Sequence, residues 1–133
     1  VDFAAETRFL DIYDNVIEGQ IPSASDEALI GSSLARNLGA RVGDELIVLG
    51  SGKQGAVAAA IFIITGIVET GQVELDRTLV FAPITGVAEA FYLQDEAHML
   101  LLMVEDLSQL SAIGARIETK LTAPLTLQTW QQL

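Results

Sequence analysis

The glycine-rich stretch Gly50–Gly55, which reads Gly-Ser-Gly-Lys-Gln-Gly, comes closer than any other segment to the spacing of a known chemical site. It matches the G-x-G-x-x-G pattern in which a strand-to-helix turn holds the phosphates of a dinucleotide. Glu69 follows at about the distance expected of an acid that binds a ribose hydroxyl. A small nucleotide-binding enzyme domain is therefore one hypothesis for this chain.

The residues that follow this stretch argue against a nucleotide site. A dinucleotide turn needs a crossover helix and a second, parallel strand after it, but Ile61–Val68 is already β-branched and aromatic. A polar, glycine-rich loop between two strands is the common hairpin connection, so we interpret Gly50–Gly55 as a hairpin loop. Lys53 does not complete a P-loop, because Gln54 stands where that motif needs Ser or Thr.

The remaining chemically active side chains form no recognisable catalytic or metal site. The single histidine, His98, opens an apolar run, and we predict a strand-end residue without a catalytic role. Four carboxylates flank that run and could act as acid–base pairs or bind a hard cation, but we interpret them as charged strand ends and a helix cap. They are Asp95, Glu96, Glu105 and Asp106. We therefore assign no catalytic residue, no metal and no cofactor.

Composition excludes several other functions. The sequence has 7 Lys and Arg against 18 Asp and Glu, a net charge of −11. Nucleic acids and anionic membrane surfaces are recognised by clustered cations, so we predict no nucleic-acid partner and no peripheral membrane docking. The absence of cysteine excludes a disulfide scaffold, a thiol nucleophile and a thiolate zinc site.

Half of the residues are hydrophobic, which is enough for a folded core. The longest apolar run, Ala56–Val68, is shorter than the roughly twenty residues of a membrane span. Because Val1 already stands within sequence that is typical of a folded domain, we expect a piece cut from a longer protein, and that protein could be membrane-bound.

Apolar spacing and turn residues predict a mixed α+β domain with mainly antiparallel strands and short inserted helices. Helices are predicted over Asp11–Glu18, Ser32–Leu38, Ile84–Leu93 and Leu107–Leu121. Strands are predicted over Glu27–Ile30, Glu45–Leu49, Val57–Glu69, Thr78–Phe81, His98–Val104 and Leu125–Leu127.

Some local details can also be predicted. Ser32 or Ser33 is expected to cap the second helix, and Gly39 suits the left-handed position that ends it. Gly66, inside the long strand, predicts a bulge or close packing. We interpret Thr70–Arg77 as a polar loop.

Four stretches, taken in order, resemble the MacB-like periplasmic core domain. Ala28–Leu46 resembles a strand and short helix followed by "LG" and "VGD", and Ile64–Gly71 is similar to a strand with the pattern V-x-G-I-x-x-T-G. Asp76–Ile84 is similar to D-x-x-x-V-F-x-P, after which a helix begins. Leu125–Leu133 resembles a return strand and the "T-W" start of a helix that leads back to the membrane.

This resemblance implies a non-catalytic, periplasmic domain of an FtsX-like or lipoprotein-releasing-type ABC transporter permease in the inner or plasma membrane. The implied partners are the permease's own transmembrane helices, a cytoplasmic ATP-binding subunit or domain that acts indirectly, and a cargo lipoprotein or periplasmic partner protein. Two permeases are expected to form a dimer. Residues 1–124 would be the inserted ectodomain and residues 125–133 a return toward its porter-like part. The resemblance assigns no contact residues, and a purely structural dimerisation module is the remaining alternative.

Overall fold

The computed structural model describes residues 1–8, 10–51, 57–93 and 96–132. They form two compact units, Val1–His98 and Met99–Leu133. All strands within the described ranges belong to the first unit. The predicted boundary between the inserted ectodomain, residues 1–124, and the return segment, residues 125–133, stays a prediction.

The first unit is built around one five-stranded sheet with helices inserted between its strands. The strands are β1 (Val16–Gly19), β2 (Glu27–Gly31), β3 (Glu45–Ser51), β4 (Val57–Val68) and β5 (Val80–Phe81). The helices are α1 (Phe3–Glu6), α2 (Ser32–Leu38), α3 (Val73–Thr78) and α4 (Ile84–Phe91), with a 3-10 helix at Asp11–Asn15. The second unit has a 3-10 helix at Leu107–Gln109 followed by α5 (Leu110–Glu118).

The sheet is mixed and mainly antiparallel, as predicted. Its order is β1-β4-β2-β5, and β3 also pairs with β4. Only the β2–β4 pair is parallel among the described strands, while β1–β4, β3–β4 and β2–β5 are antiparallel. The α+β prediction is therefore confirmed, and β4 pairs with three of the other four strands, β1, β2 and β3.

The pairing of β2 with β4 contains a β-bulge. Ala28 lies opposite Ile64, but the next residue, Leu29, lies opposite Gly66, so Thr65 is the extra residue of a bulge. A Cβ atom on Gly66 would lie 2.6 Å from the carbonyl oxygen of Gln20. The predicted bulge and close packing at Gly66 are thus both confirmed.

Apolar side chains cover the two faces of the sheet to different extents. On one face, clusters around Phe62 and Ile64 pack against α4 and α2. On the opposite face, Leu29 and Val68 are fully buried beneath Tyr13 and its neighbours. This second cluster lies at the carboxyl end of β4. It does not extend over the same face of the amino-terminal half of that strand.

Tyr13 ties the amino-terminal segment to the sheet. Its ring lies 5.5 Å from the ring of Phe3 and 5.6 Å from that of Phe81, and its hydroxyl donates a 2.7 Å hydrogen bond to Glu6 Oε2. Burial, followed by the bond to Glu6, raises the pKa of Tyr13 above its ordinary value. The neutral phenol is therefore the form that this core contains.

Several predicted elements were wrong. Asp11–Glu18 is not an α-helix, because its second half pairs with β4 as strand β1. The apolar runs His98–Val104 and Leu125–Leu127 are not strands, and residues 129–132 form a turn rather than a helix. The predicted loop Thr70–Arg77 contains most of helix α3. Pairing with β4 decides the conformation of β1, and packing against α2 and β2 accompanies helix α3. The two apolar runs have no described strand to pair with, and local propensity reports none of these relations.

The cap of helix α2 is also different from the prediction. Gly31 is the N-cap residue and no side chain caps the helix, while Ser32 and Ser33 are buried. The Ser32 hydroxyl instead donates a 3.3 Å bond to Glu69 Oε1. At the other end Gly39 adopts the left-handed conformation at φ 67°, as predicted.

The turn before β2 is held by one carboxylate. Glu27 Oε2 accepts hydrogen bonds from the backbone N–H of Ser23 at 2.6 Å and of Ala24 at 3.0 Å. These bonds, in that order, hold the pKa of Glu27 below its ordinary value. The ionised carboxylate therefore stabilises this turn.

Glu27 is expected to make stability depend on acid pH. A folded-state pKa below the unfolded one contributes stability that is complete above the ordinary carboxyl pKa and is lost as pH falls through the lowered value. Glu27→Gln should therefore be less stable than the parent chain at pH 6, and this difference should shrink toward pH 3. Urea unfolding at both pH values measures it, and an equal difference at the two would contradict the assignment.

Candidate interaction surfaces

Strands β3 and β4 form a hairpin whose inner face is packed. Leu46 lies opposite Phe62 and Val48 opposite Ala60, and these pairs pack with the apolar side of α4. The approach is close, since a Cβ atom on Gly50 would lie 2.7 Å from the Phe91 ring. Gly50 therefore has a packing role, since it makes room for the Phe91 ring.

The outer face of the same hairpin is apolar and exposed. The register places Ile47 opposite Ile61 and Leu49 opposite Ala59, with Val57 opposite the polar Ser51. We call this surface the hairpin face, and its large side chains are exposed by 60% for Ile47, 71% for Leu49, 85% for Val57 and 57% for Ile61. A contiguous patch of aliphatic side chains on a protein surface usually marks an interaction site.

The topology of the hairpin removes the basis for the dinucleotide hypothesis. Ser51 and Val57 are direct antiparallel partners, so the chain between them connects neighbouring antiparallel strands. A dinucleotide turn would lead through a helix to a parallel strand. Most of the predicted loop, from Gly52 onward, lies outside the described residues, but the strands on both sides confirm the hairpin interpretation. Glu69 accepts its bond from Ser32 at the end of β4.

A buried carboxylate links the two central stretches that resemble the family patterns. Asp76 is 2% exposed, and its Oδ1 accepts bonds from the N–H of Thr70 at 2.9 Å and from the hydroxyl of Thr70 at 2.7 Å. Thr70 belongs to the T-G end of one stretch and Asp76 opens the next, so their bond fastens α3 to the end of β4. We missed this pair in the sequence, where the polar segment was interpreted as a loop.

The other side chains that had been considered for chemistry have structural or solvent-exposed positions. His98 is exposed at a bend, not at a strand end. Asp106 caps the 3-10 helix by accepting a 2.9 Å bond from the N–H of Ser108, and bonds from Ser108 and then Gln109 lower the pKa of Asp106. The helix-cap interpretation is thus confirmed. Glu96 and Glu105 are exposed, and Asp95 lies outside the described residues.

The second unit presents a further apolar surface. None of its described residues, 99–132, is buried. Five consecutive large side chains, Met99–Met103, are 47–80% exposed. Next to them lies an open groove of about 420 Å³, lined by residues 102–106 together with Gln109, Ile113 and Ile117. Apolar area of this extent in a single segment is typical of a surface that another molecule covers.

Comparison with known proteins supplies the context for these surfaces. The family model of the MacB-like periplasmic core domain matches residues 3–120 of the chain. No curated protein shows a significant match. Within the described residues, no helix has both the length and the apolar character needed to cross a membrane. The family match covers most of both compact units, and the chain therefore belongs to the MacB-like periplasmic core domains, the extracytoplasmic parts of ABC transporter permeases.

Proposed function

We propose that this domain performs no catalysis and instead binds a cargo or a periplasmic partner protein for an ABC transporter permease. The family match over residues 3–120 carries this proposal, because domains of this kind are generally non-catalytic parts of transporters. In the whole protein the domain moves with ATP hydrolysis by a cytoplasmic subunit or domain. Lipoprotein release from the membrane is one form of transport that we propose for the whole protein.

The exposed segment Met99–Met103 supports a role in binding. Its side chains are long and unbranched at the Cβ atom, so they adapt to partners of different shape. Burial of a single such side chain stabilises a complex by about 1.5–3 kcal/mol before the costs of association. We therefore propose that cargo or partner proteins contact this segment.

Site-specific photo-crosslinking in the full-length transporter tests the proposed function. We expect a photoreactive amino acid at Leu100, which is 80% exposed, to crosslink to the cargo or partner, with a yield that changes when ATP hydrolysis is blocked. Mass spectrometry identifies the product. Ser111, an exposed polar position on α5, is the matched control and should crosslink weakly. Equal yields at both positions, or no product that contains a second protein, would contradict the proposal.

A further inference from the structure

Among the described residues of the first unit, no element covers the hairpin face, although the Tyr13 cluster covers the same side of the sheet at the other end of β4. Val68, at the far end of β4, is fully buried beneath the Tyr13 cluster, whereas Ile61 on the same strand is 57% exposed. We propose that the hairpin face packs against the hairpin face of a second copy of this chain. The two sheets would then form an antiparallel sandwich.

The placement of charge on the hairpin fits a second copy. Glu45 is the one ionisable residue on the outer side of the described hairpin, and it lies at one end, opposite Ile63. When two hairpins stack with their strands antiparallel, Glu45 of each copy lies over Ser51 of the other. Six residues of strand keep the two carboxylates about 20 Å apart. That separation exceeds the Debye length of about 8 Å at physiological salt, so their repulsion is screened.

The shape of the surface fits as well. Two sheets pack face to face at about 10 Å when aliphatic side chains from both interdigitate. In the antiparallel stack, Ile47 of one copy meets Leu49 of the other, and Ile61 meets the small Ala59. A large side chain therefore meets a small one along β4, while two large aliphatic side chains meet along β3 and must interdigitate.

The area of the hairpin face predicts a weak dimer. Four aliphatic side chains with this exposure present on the order of 400 Å² of apolar surface per copy. The total of about 800–1,000 Å² lies at the lower end of specific interfaces. Interfaces of this size are typical of weak, transient complexes, so a reversible dimer is expected rather than a permanent one.

The net charge gives this association a distinctive salt dependence. Each chain has a net charge of −11, so two copies repel one another over their remaining surfaces. Added salt screens this repulsion and leaves apolar contact intact. Self-association through the hairpin face should therefore strengthen as NaCl rises from 50 to 500 mM, whereas a contact between opposite charges would weaken.

Sedimentation velocity of the 133-residue chain, from about 10 µM to 1 mM, tests the proposal. We expect a reversible monomer–dimer equilibrium that both Leu49→Asp and Leu49→Lys weaken at least tenfold. The two substitutions change the net charge in opposite directions, so an effect that they share comes from the loss of apolar contact. Leu38→Asp is the matched control, because Leu38 is 57% exposed on α2, and it should leave the equilibrium nearly unchanged.

Several outcomes would overturn the proposal. A chain that stays monomeric up to 1 mM shows that the hairpin face has no affinity for itself. Dimerisation that Leu38→Asp weakens as much as Leu49→Asp shows that another surface is responsible. Circular dichroism of each variant confirms that the fold is retained, and Ala59→Asp repeats the test at a second exposed position if Leu49 variants do not fold.

Discussion

Replacing Gly86 by alanine is expected to lower the free energy of unfolding by about 2–3 kcal/mol, although the same change usually stabilises a helix. Gly86 is the buried third residue of α4, and it faces the turn before β2. A Cβ atom there would overlap the carbonyl oxygen of Ser25 and lie 3.2 Å from the Phe62 ring. The bonds from Ser23 and Ala24 to Glu27 hold this turn, so its backbone has little freedom to retreat.

Thermal or urea unfolding measures the effect of Gly86→Ala, and a second glycine supplies the comparison. Gly114 is also inside a helix, α5, but among the described residues a Cβ atom on it would meet only Leu127 Cδ2, at an ordinary 3.6 Å. Gly114→Ala should therefore be neutral, or stabilising by up to about 1 kcal/mol. The account of Gly86 is wrong if both substitutions change stability in the same direction.

Replacing Asp76 by alanine is expected to cost about 2–4 kcal/mol of stability. The change removes the acceptor for both the N–H and the hydroxyl of Thr70, and it leaves these groups at a site from which water is largely excluded. The carbonyl side of Asp76 also packs against Gly31, where a Cβ atom would overlap the backbone. Helix α3 should consequently detach from the end of β4 under conditions in which the sheet is still folded.

The matched control for Asp76 is an exposed aspartate that makes a similar bond. Asp44 Oδ2 accepts a 2.8 Å bond from the N–H of Arg41, and water can replace it there. Asp44→Ala should therefore cost less than about 1 kcal/mol. Urea unfolding gives the free energies, and amide hydrogen exchange in α3 reports the local effect. Similar losses for the two variants would show that burial of Asp76 is not the cause.

The elements that could be predicted from sequence are those with a strong local signal. The long strand that ends at Val68 is rich in β-branched residues, and the helix that ends before Gly39 has apolar residues on one face. The β3–β4 hairpin could be predicted in the same way, from the glycine-rich and polar residues of Gly50–Gly55. The ordered stretches around Thr70 and Asp76 resembled the family, and the match over residues 3–120 agrees with that resemblance.

The apolar surfaces could not be recognised as surfaces from sequence. Ile47 and Leu49 alternate with Leu46 and Val48, so both sets have the period of a strand. Only the position of α4 decides that Leu46 and Val48 are partly buried while Ile47 and Leu49 are exposed. In the same way, Met99–Met103 has the composition of a buried strand but pairs with no described strand.

The class of the domain, its family, its hairpin and its lack of a recognisable catalytic motif could therefore all be predicted without the structure. The fold class and the hairpin depend on local propensity and on the spacing of neighbouring residues, whereas the family was indicated by the resemblance of four ordered stretches. Tertiary structure alone decided that Val16–Gly19 is a strand, that Asp76 is buried and that the hairpin face is exposed. Each of these depends on which distant segment lies beside a residue, because backbone pairing and burial are set by neighbours in space.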